Sequence, residues 1–220
     1  MIHNYDRSGF IGASDTNYVT ANNWKTGRWA DWWDVKLGRK ESVFHGNAYT
    51  RAGNLWEHSI LTAVDKSIDF DRQIIIDTTN RKRKKMLLRV NYDGNTDFNI
   101  YEVKSHKSSK QYEITEAHRQ QCPVEMFAWN YAHEHEIPDA DGNEVKALNK
   151  LWILSYALTP DEVFDTDWID EDEAYAGKLP VDPSRIIPHP VKYDKAFIQS
   201  IYTPKLIELT KALIANKYPY

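Results

Sequence analysis

The spacing of hydrophobic residues changes several times along the chain, and each change predicts a different element. Three segments carry apolar side chains at helical spacing and are predicted to be amphipathic helices: 47–64, 116–133 and 204–216. Short β-branched or aliphatic runs predict four strands: 73–77, 86–92, 99–104 and 150–158. Helices interleaved with neighbouring strands predict an α/β fold, with a central mixed β-sheet flanked by helices.

Polar residues predict where some of these elements begin, turn or end. Thr115 is expected to cap the second helix, and Pro123 either kinks that helix or marks its true first turn. The tripeptide 93–95, Asp-Gly-Asn, is a turn signal, and the basic run 81–85 is predicted to be a hairpin tip. The inward face of the last helix is predicted to consist of Leu206, Ile207, Leu209, Leu213 and Ile214.

Length and composition limit the class of protein. A chain of 220 residues suits one domain spanning 1–220, and 41% hydrophobic with 27% charged residues argues against disorder. Neither a membrane-spanning run nor a secretory signal is expected from the sequence. A single cysteine, Cys122, excludes an internal disulfide and any metal site made of several thiolates. The expectation is a protein of the reducing cytoplasm.

Charge is distributed unevenly, which changes the meaning of the net charge of −4. Eight acidic residues and no basic ones lie in 161–173, whereas 81–85 is entirely Arg and Lys. Phosphate binding depends on where cations lie more than on their sum. The net negative charge therefore does not exclude a nucleic-acid substrate, and the basic run is a candidate DNA contact through Arg81, Lys82, Arg83 and Lys84.

The residues with the clearest chemistry lie between 93 and 104. Asp93 ends one predicted strand, and Glu102 and Lys104 share one face of the next. Pairing across the turn would bring both carboxylates together, and they would then need a cation such as Mg²⁺, with the Val103 carbonyl as a third ligand. Lys104 would either position the attacking water or neutralise charge on the phosphate. Asp97 competes with Asp93, which is favoured because a turn there leaves length for two paired strands.

Other candidates are weaker when considered singly. Glu57 follows a tryptophan on an otherwise apolar helix, where a buried charge needs a cation or hydrogen bonds. Arg7 and Ser14 could hold a phosphate, or they could be an ordinary surface arginine and a helix cap. The tryptophans of 24–33 could stack on unpaired bases or pack in the core.

Four motifs in order carry a family resemblance: Arg7-Ser-Gly-Phe-Ile-Gly-Ala-Ser14-Asp15, Gly53-Asn-Leu-Trp-Glu57, Asn91-Tyr-Asp93-Gly94 with Glu102-Val-Lys104, and the glutamine-containing helix around 119–129. Together they resemble the lambda-exonuclease and YqaJ-like viral recombinase branch of the PD-(D/E)xK nuclease superfamily. The departures are Tyr92, where the family usually has proline, and Pro123 in the glutamine helix.

The resemblance implies a role for each matching position. Those implied to be catalytic are Glu57, Asp93, Glu102, Lys104 and Gln121. Asp93, Glu102 and Val103 would hold the metal, and Arg7 and Ser14 would hold the 5′-phosphate of DNA. Counting back from Met126 favours Gln121 over Gln120.

The resemblance also implies a complete activity. It predicts a restriction-endonuclease-like core and an alkaline exonuclease that uses Mg²⁺, with Mn²⁺ as a substitute. Such an enzyme degrades linear double-stranded DNA 5′→3′ and leaves 3′ overhangs for a phage single-strand annealing protein. A homo-oligomer, with a trimeric ring as the family's form, and the bacterial cytoplasm are the expected setting. The alternatives are another PD-(D/E)xK endonuclease and a non-catalytic DNA-end-binding recombination protein.

Overall fold

The computed structural model describes residues 7–21, 24–41, 46–82 and 84–220. The helices are α1 (Thr16–Thr20), α2 (Gly27–Lys36), α3 (Ala48–Val64), α4 (Glu116–Glu134), α5 (Pro160–Phe164), α6 (Glu171–Tyr175), α7 (Lys195–Phe197) and α8 (Thr203–Ile214). The strands are β1 (Ile11–Gly12), β2 (Asp69–Phe70), β3 (Gln73–Asp77), β4 (Leu87–Asn91), β5 (Gly94–Asn95), β6 (Asn99–Lys107), β7 (Lys150–Leu158) and β8 (Ile186–Val191).

The strands form two mixed sheets, with the orders β1-β4-β3 and β2-β5-β6-β7-β8. β1 runs parallel to β4 and β6 runs parallel to β7, whereas the other pairs are antiparallel. The predicted mixed α/β class with flanking helices is confirmed. The predicted turn at 93–95 is wrong, because Gly94 and Asn95 form β5, which pairs with both β2 and β6. β4 and β6 therefore lie in different sheets.

β6 and β7 contribute side chains to two cores, one on each face of the sheet, and the nearly continuous apolar sequence of β7 is typical of a strand covered on both faces. Ile100, Leu151 and Ile153 belong to a core shared with residues of α4 and α8. Val103 and Leu154 belong to a second core, shared with residues of α3, α5 and α6. The central strands thus lie between a helical layer that contains α3 and another that contains α4.

Two glycines allow the second core to close. At Gly94, an added Cβ would lie 2.7 Å from Leu61 and 2.8 Å from Ile68, closer than carbon atoms can approach. At Gly53, an added Cβ would lie 2.4 Å from the Ser105 hydroxyl oxygen. Gly53 therefore lets α3 approach β6 closely, which explains a residue that otherwise weakens a helix.

The predicted boundaries of α3 and α4 agree closely with the structure. Asn47 caps α3 by accepting a hydrogen bond from the amide of Thr50. Thr115 caps α4 by accepting one from the amide of His118. α4 continues through Pro123, so the idea that this proline marks the first turn is wrong. Residues before the proline therefore share one helix with those after it.

The C-terminal helix starts earlier than its sequence pattern indicates. α7 passes through a π-helical segment, Ile198–Tyr202, directly into α8. The inward placement of Ile214 is wrong, because 48% of its surface is exposed. Of the helices in the described residues, none has the length and apolar character needed to cross a bilayer.

Candidate active site

Asp93 is fixed by the strand that follows it. It directly precedes β5, and its Oδ2 accepts a hydrogen bond of 2.8 Å from the amide of Val103 on β6. The carboxylate therefore extends the β5–β6 ladder by one position. Because the N–H and C=O of one strand residue point to the same edge, the Val103 carbonyl faces this side as well.

Glu102 is the most connected carboxylate of the site. It is 3% exposed on β6, and its Oε1 accepts hydrogen bonds from the Lys104 ammonium and from Gln121 Nε2, the latter at 2.8 Å. Lys104 is its neighbour on the same strand face, as the alternation of β6 predicts. Gln121 reaches it from α4. The structure thus brings together Asp93, Glu102, Lys104 and Gln121 from three segments.

A further carboxyl group, that of Glu125, lies behind Gln121 and was missed in the sequence. Gln121 Nε2 donates to Glu125 Oε1 at 2.7 Å, so one amide bridges Glu102 and Glu125. Glu125 is 1% exposed, and its Oε2 has no hydrogen-bond partner within the described part of the chain. The signal that could have found it is an acid four residues after Gln121, between the apolar residues Val124 and Met126.

An open cleft gives access to this group. One wall is formed by residues of α3 and its cap, the floor by β6 and Asp93, and the opposite side by α4; the lining residues are Asn47, Tyr49, Thr50, Gly53, Asn54, Glu57, Asp93, Val103, Lys104, Ser105 and His118. Glu57 projects from α3 into the same cleft as Asp93 and Lys104. We call Glu57, Asp93, Glu102 and Glu125 the carboxylate cluster.

Burial and mutual repulsion perturb the cluster. Burial, followed by the charges of Asp93 and Glu102, raises the pKa of Glu57 well above its ordinary value. Burial and then Glu102 raise the pKa of Asp93 to about 7. Burial and the charge of Glu102 also raise the pKa of Glu125 well above its usual range. Burial opposes the charge of Lys104, yet Glu102 and Asp93 outweigh it and raise the pKa of the ammonium.

The oxygen atoms of the cleft suit a hard cation only in part. Across residues 7–21, 24–41, 46–82 and 84–220, no three His, Cys, Asp or Glu side chains converge closely enough to hold a metal ion by themselves. Mg²⁺, however, commonly takes one or two carboxylates and completes its shell with waters and phosphate oxygens. Asp93, Glu102 and the Val103 carbonyl are donors of that kind, and the repulsion within the cluster favours a cation among them.

Comparisons with known proteins agree with this architecture. No protein-family model matches the sequence, and a comparison with curated proteins gives no match. Among solved structures, an alkaline exonuclease from Laribacter hongkongensis has a TM-score of 0.54 and 14% identity, with 94% of this chain and 89% of that chain covered. A phage-related exonuclease from Haemophilus somnus 129PT has a TM-score of 0.55 and 14% identity, with 94% and 95% covered. The chain has the alkaline exonuclease fold.

This likeness confirms the fold implied by the resemblance to the lambda-exonuclease family. Within the exonuclease fold, the two competing candidates lie outside the carboxylate cluster. Asp97 is exposed and its Oδ2 pairs with Lys146 at 2.5 Å. Gln120 donates to Glu116 at 3.0 Å and accepts from Thr20 at 3.2 Å.

The candidate phosphate-binding residues do not line the cleft. Ser14 is exposed in the short 3-10 helix Ala13–Asp15, which directly follows β1. Since β1 runs parallel to β4, Ser14 lies toward the end of the sheet from which the chain continues to Asp93. Arg7 is exposed, and its charge is among those that lower the pKa of Lys36, after burial as the main cause. Neither Arg7 nor Ser14 lines the cleft.

Asp15, beside Ser14, is a buried structural acid. Its carboxylate pairs with Lys36 at 2.6 Å and accepts hydrogen bonds from Trp32 Nε1 at 2.9 Å and from the Gly12 amide at 2.7 Å. Although burial opposes its charge, Lys36 keeps the pKa of Asp15 below its ordinary value. These contacts fix the backbone on which Ser14 lies.

The basic run lies in the loop between β3 and β4, at the end of β4 opposite Asp93. Lys82 and Lys84 are exposed and line a groove with Lys85 and Lys211. Arg81 donates to the hydroxyl of Tyr131 at 2.9 Å. Arg83, the remaining candidate of this run, lies outside the described residues.

Most of the tryptophan-rich segment belongs to the core. Trp29 and Trp33 of α2 are 1% and 0% exposed and stack on each other at 5.4 Å. Trp32 is partly buried and stacks on Tyr18 at 4.9 Å. The core-packing interpretation is therefore confirmed for Trp29 and Trp33, which are inaccessible to bases.

Proposed function

We propose that this chain is a Mg²⁺-dependent exonuclease that degrades linear double-stranded DNA 5′→3′ and leaves 3′ single-stranded overhangs. The observation that carries the proposal is that Asp93 and Lys104 line the floor of an open cleft and that the buried carboxylate of Glu102 bonds to the Lys104 ammonium. A lysine beside one buried and one partly buried carboxylate is an arrangement suited to a phosphodiester and its cation. The exonuclease fold supports the same reaction class.

Each residue has a defined part in this proposal. Asp93, Glu102 and the Val103 carbonyl would hold Mg²⁺, which when bound supplies Lewis-acid stabilisation to a phosphate and to a water. Lys104 neutralises charge that develops on the phosphate, and Gln121 fixes the orientation of Glu102 by its 2.8 Å hydrogen bond. Glu57 presents a carboxyl group from the opposite wall, where its raised pKa suits it to exchange a proton with a water in the cleft.

The wider setting follows the family resemblance. Arg7 and Ser14 would bind the 5′-phosphate, and Arg81, Lys82 and Lys84 would contact the duplex. A homo-oligomer, in the form of a trimeric ring, would hold the DNA while a phage single-strand annealing protein receives the product. In the same proposal, the enzyme acts in the cytoplasm of the bacterial host, and Mn²⁺ can replace Mg²⁺.

The deciding experiment is nucleotide release from linear duplexes with and without a 5′-phosphate, in Mg²⁺ and in EDTA. We expect the wild type to release nucleotides in Mg²⁺ and not in EDTA. Lys104→Ala and Asp93→Ala should release none, and Asp97→Ala should release them at the wild-type rate. Arg7→Ala should mainly remove the preference for a 5′-phosphate. Circular dichroism checks that each variant is folded.

Two outcomes would refute the proposal. Cutting of a covalently closed circle would identify an endonuclease. Binding of duplex ends without any Mg²⁺-dependent release would identify a non-catalytic end-binding protein. Full activity in Asp93→Ala with loss in Asp97→Ala would move the metal site to Asp97.

A further inference from the structure

The α4 side of the cleft carries a histidine to which no role has been given. His118 lies one helical turn before Gln121, so the two share a face of α4. It is partly buried and lines the same cleft as Asp93 and Lys104. A DNA strand held over Lys104 would therefore pass beside the imidazole.

One nitrogen of this imidazole is held by a tyrosine. The Tyr112 hydroxyl lies 2.9 Å from His118 Nδ1, and the two rings are nearly parallel, at an interplanar angle of 14°. Tyr112 belongs to the connection between β6 and α4, directly beside the strand that carries Lys104. Within the described residues, no hydrogen bond involves the other nitrogen, Nε2, which is therefore the one available to a ligand in the cleft.

Tyr112 is itself held by two further histidines. Its ring lies 5.6 Å from that of His106 on β6 and 5.1 Å from that of His189 on β8. His189 Nε2 lies 2.9 Å from the hydroxyl of Ser155, a fully buried residue that is opposite Lys104 in the β6–β7 register. This network connects the tyrosine to the strands that form the floor of the cleft.

Electrostatics favour a neutral imidazole with a defined tautomer. Burial, and then the nearby Lys104 ammonium, lower the pKa of His118. Burial raises the pKa of Tyr112 to about 12, so its hydroxyl keeps its proton at neutral pH. When that hydroxyl donates to Nδ1, the imidazole proton is on Nε2, which is then a hydrogen-bond donor.

We propose that His118 contacts DNA in this cleft by donating a hydrogen bond from Nε2 to a backbone phosphate oxygen beside Lys104. Tyr112 is its positioning residue, which sets the orientation of the ring and the tautomer. The inference rests on the proposed function, because it assigns a further contact to the same substrate. It predicts that His118 contributes to DNA affinity even where no metal is present.

The test uses His118→Ala, His118→Gln, Tyr112→Phe and the double variant His118→Ala/Tyr112→Phe. Binding of a fluorescent linear duplex is measured in EDTA at fixed salt, and kcat/KM for nucleotide release is measured in Mg²⁺. His118→Ala should reduce both DNA affinity and kcat/KM by about 10-fold or more, because it loses a hydrogen bond to a charged group. His118→Gln, which keeps a donor at a similar distance, should stay within about threefold of the wild type.

The role of Tyr112 is tested by non-additivity. Tyr112→Phe should reduce kcat/KM about 3- to 10-fold in the wild type and not at all in the His118→Ala background, because a residue that acts through another has no separate effect. His135→Ala, an exposed histidine beyond the end of the same helix, is the matched control and should match the wild type.

Three results would overturn the inference: wild-type binding and activity in His118→Ala, an equal loss in His118→Gln and His118→Ala, or a full Tyr112→Phe effect in the His118→Ala background. The last would assign Tyr112 a merely structural role. If the wild type releases no nucleotides in Mg²⁺, the proposed function fails, and the binding measurement in EDTA still decides whether His118 contacts DNA.

Discussion

Replacing Asp93 with asparagine should stabilise the metal-free protein while it removes the proposed activity. The amide oxygen of asparagine can still accept the 2.8 Å hydrogen bond from Val103. The substitution therefore keeps the local geometry and removes only a charge. That charge is repelled by Glu102 and is costly to bury, as the raised pKa of Asp93 indicates.

The size of the effect follows from that pKa. A rise from 3.8 to about 7 means that the folded state binds the proton more tightly than the unfolded state. Stability is therefore lost as pH increases from about 4 to about 7, and at about 1.4 kcal/mol per pKa unit the loss is at most about 4 kcal/mol. We expect about half of this, because Glu57, whose pKa the charge of Asp93 helps to raise, adjusts its own protonation when Asp93 becomes neutral.

The assay is urea unfolding followed by tryptophan fluorescence, in EDTA, at pH values from 5 to 8. A gain of about 2 kcal/mol at pH 8 corresponds to a midpoint about 0.8 M higher, for an m value of about 2.5 kcal/mol per M. The gain should become smaller toward pH 5, where Asp93 of the folded wild type is already protonated. Asp97→Asn, at an exposed acid outside the cluster, is the control and should show no such gain.

A gain that is the same at pH 5 and pH 8 would show that repulsion within the cluster is not its cause. An Asp93→Asn variant that is less stable than the wild type at pH 8 would refute the electrostatic argument altogether. Mg²⁺ should raise the wild-type midpoint more than that of the variant, because a ligand of the folded state stabilises by mass action. An equal rise in both would remove Asp93 from the set of metal ligands.

Two further predictions concern packing and DNA binding. Gly94→Ala should lower the free energy of unfolding by about 1–3 kcal/mol, because the added methyl group would overlap the second core. Gly27→Ala is the control and should lower it by less than about 0.5 kcal/mol, because the space around its Cβ position is open. Urea unfolding midpoints compare the two variants, and equal midpoints would contradict the packing argument. The double variant Lys82→Gln/Lys84→Gln should bind duplex DNA more weakly, and the slope of log Kd against the logarithm of the salt concentration should decrease by up to about 2. Fluorescence anisotropy measures both quantities. An unchanged slope would show that these two lysines do not contact the DNA.

Sequence patterns predicted the long, well-bounded elements best. The helix at 47–64 differs from α3 only at its cap, and the predicted strands at 73–77 and 150–158 coincide with β3 and β7. In each of these segments, the local spacing of apolar residues and the tertiary packing favour the same structure. The C-terminal helix was also found, although its first turns include a π-helical segment with no sequence signal.

Short strands were missed because their stability comes from pairing with distant residues rather than from their own sequence. β5 has two residues that read as a turn, and it becomes a strand because β2 and β6 lie on either side of it. β8 contains Pro188 and Pro190, and prolines in a sequence argue against a central strand. β8 lies at the edge of its sheet, where the proline nitrogens need no hydrogen-bond partner, so both prolines are tolerated there.

The candidate site shows the same division between local and distant information. The spacing of Glu102 and Lys104 on one strand was readable, because alternation places both on one face. The way in which Asp93 reaches Glu102 and Lys104 could not be predicted, because it depends on β5 rather than on a direct hairpin between β4 and β6. Glu125 was missed because its neighbours are apolar, so that it reads as part of an ordinary buried helix.

The carboxylate cluster also links the stability of the protein to its proposed chemistry. Four buried or partly buried acids lie around Lys104, whose ammonium bonds to Glu102. The raised pKa values of Glu57, Asp93 and Glu125 show that this arrangement costs stability when metal and DNA are absent. Neutral side chains of similar size would fold more stably. A cation that binds Asp93 and Glu102 would remove part of the repulsion, and the cost of burial would then appear as affinity for the cation. The same charges that weaken the empty fold would therefore favour the bound state.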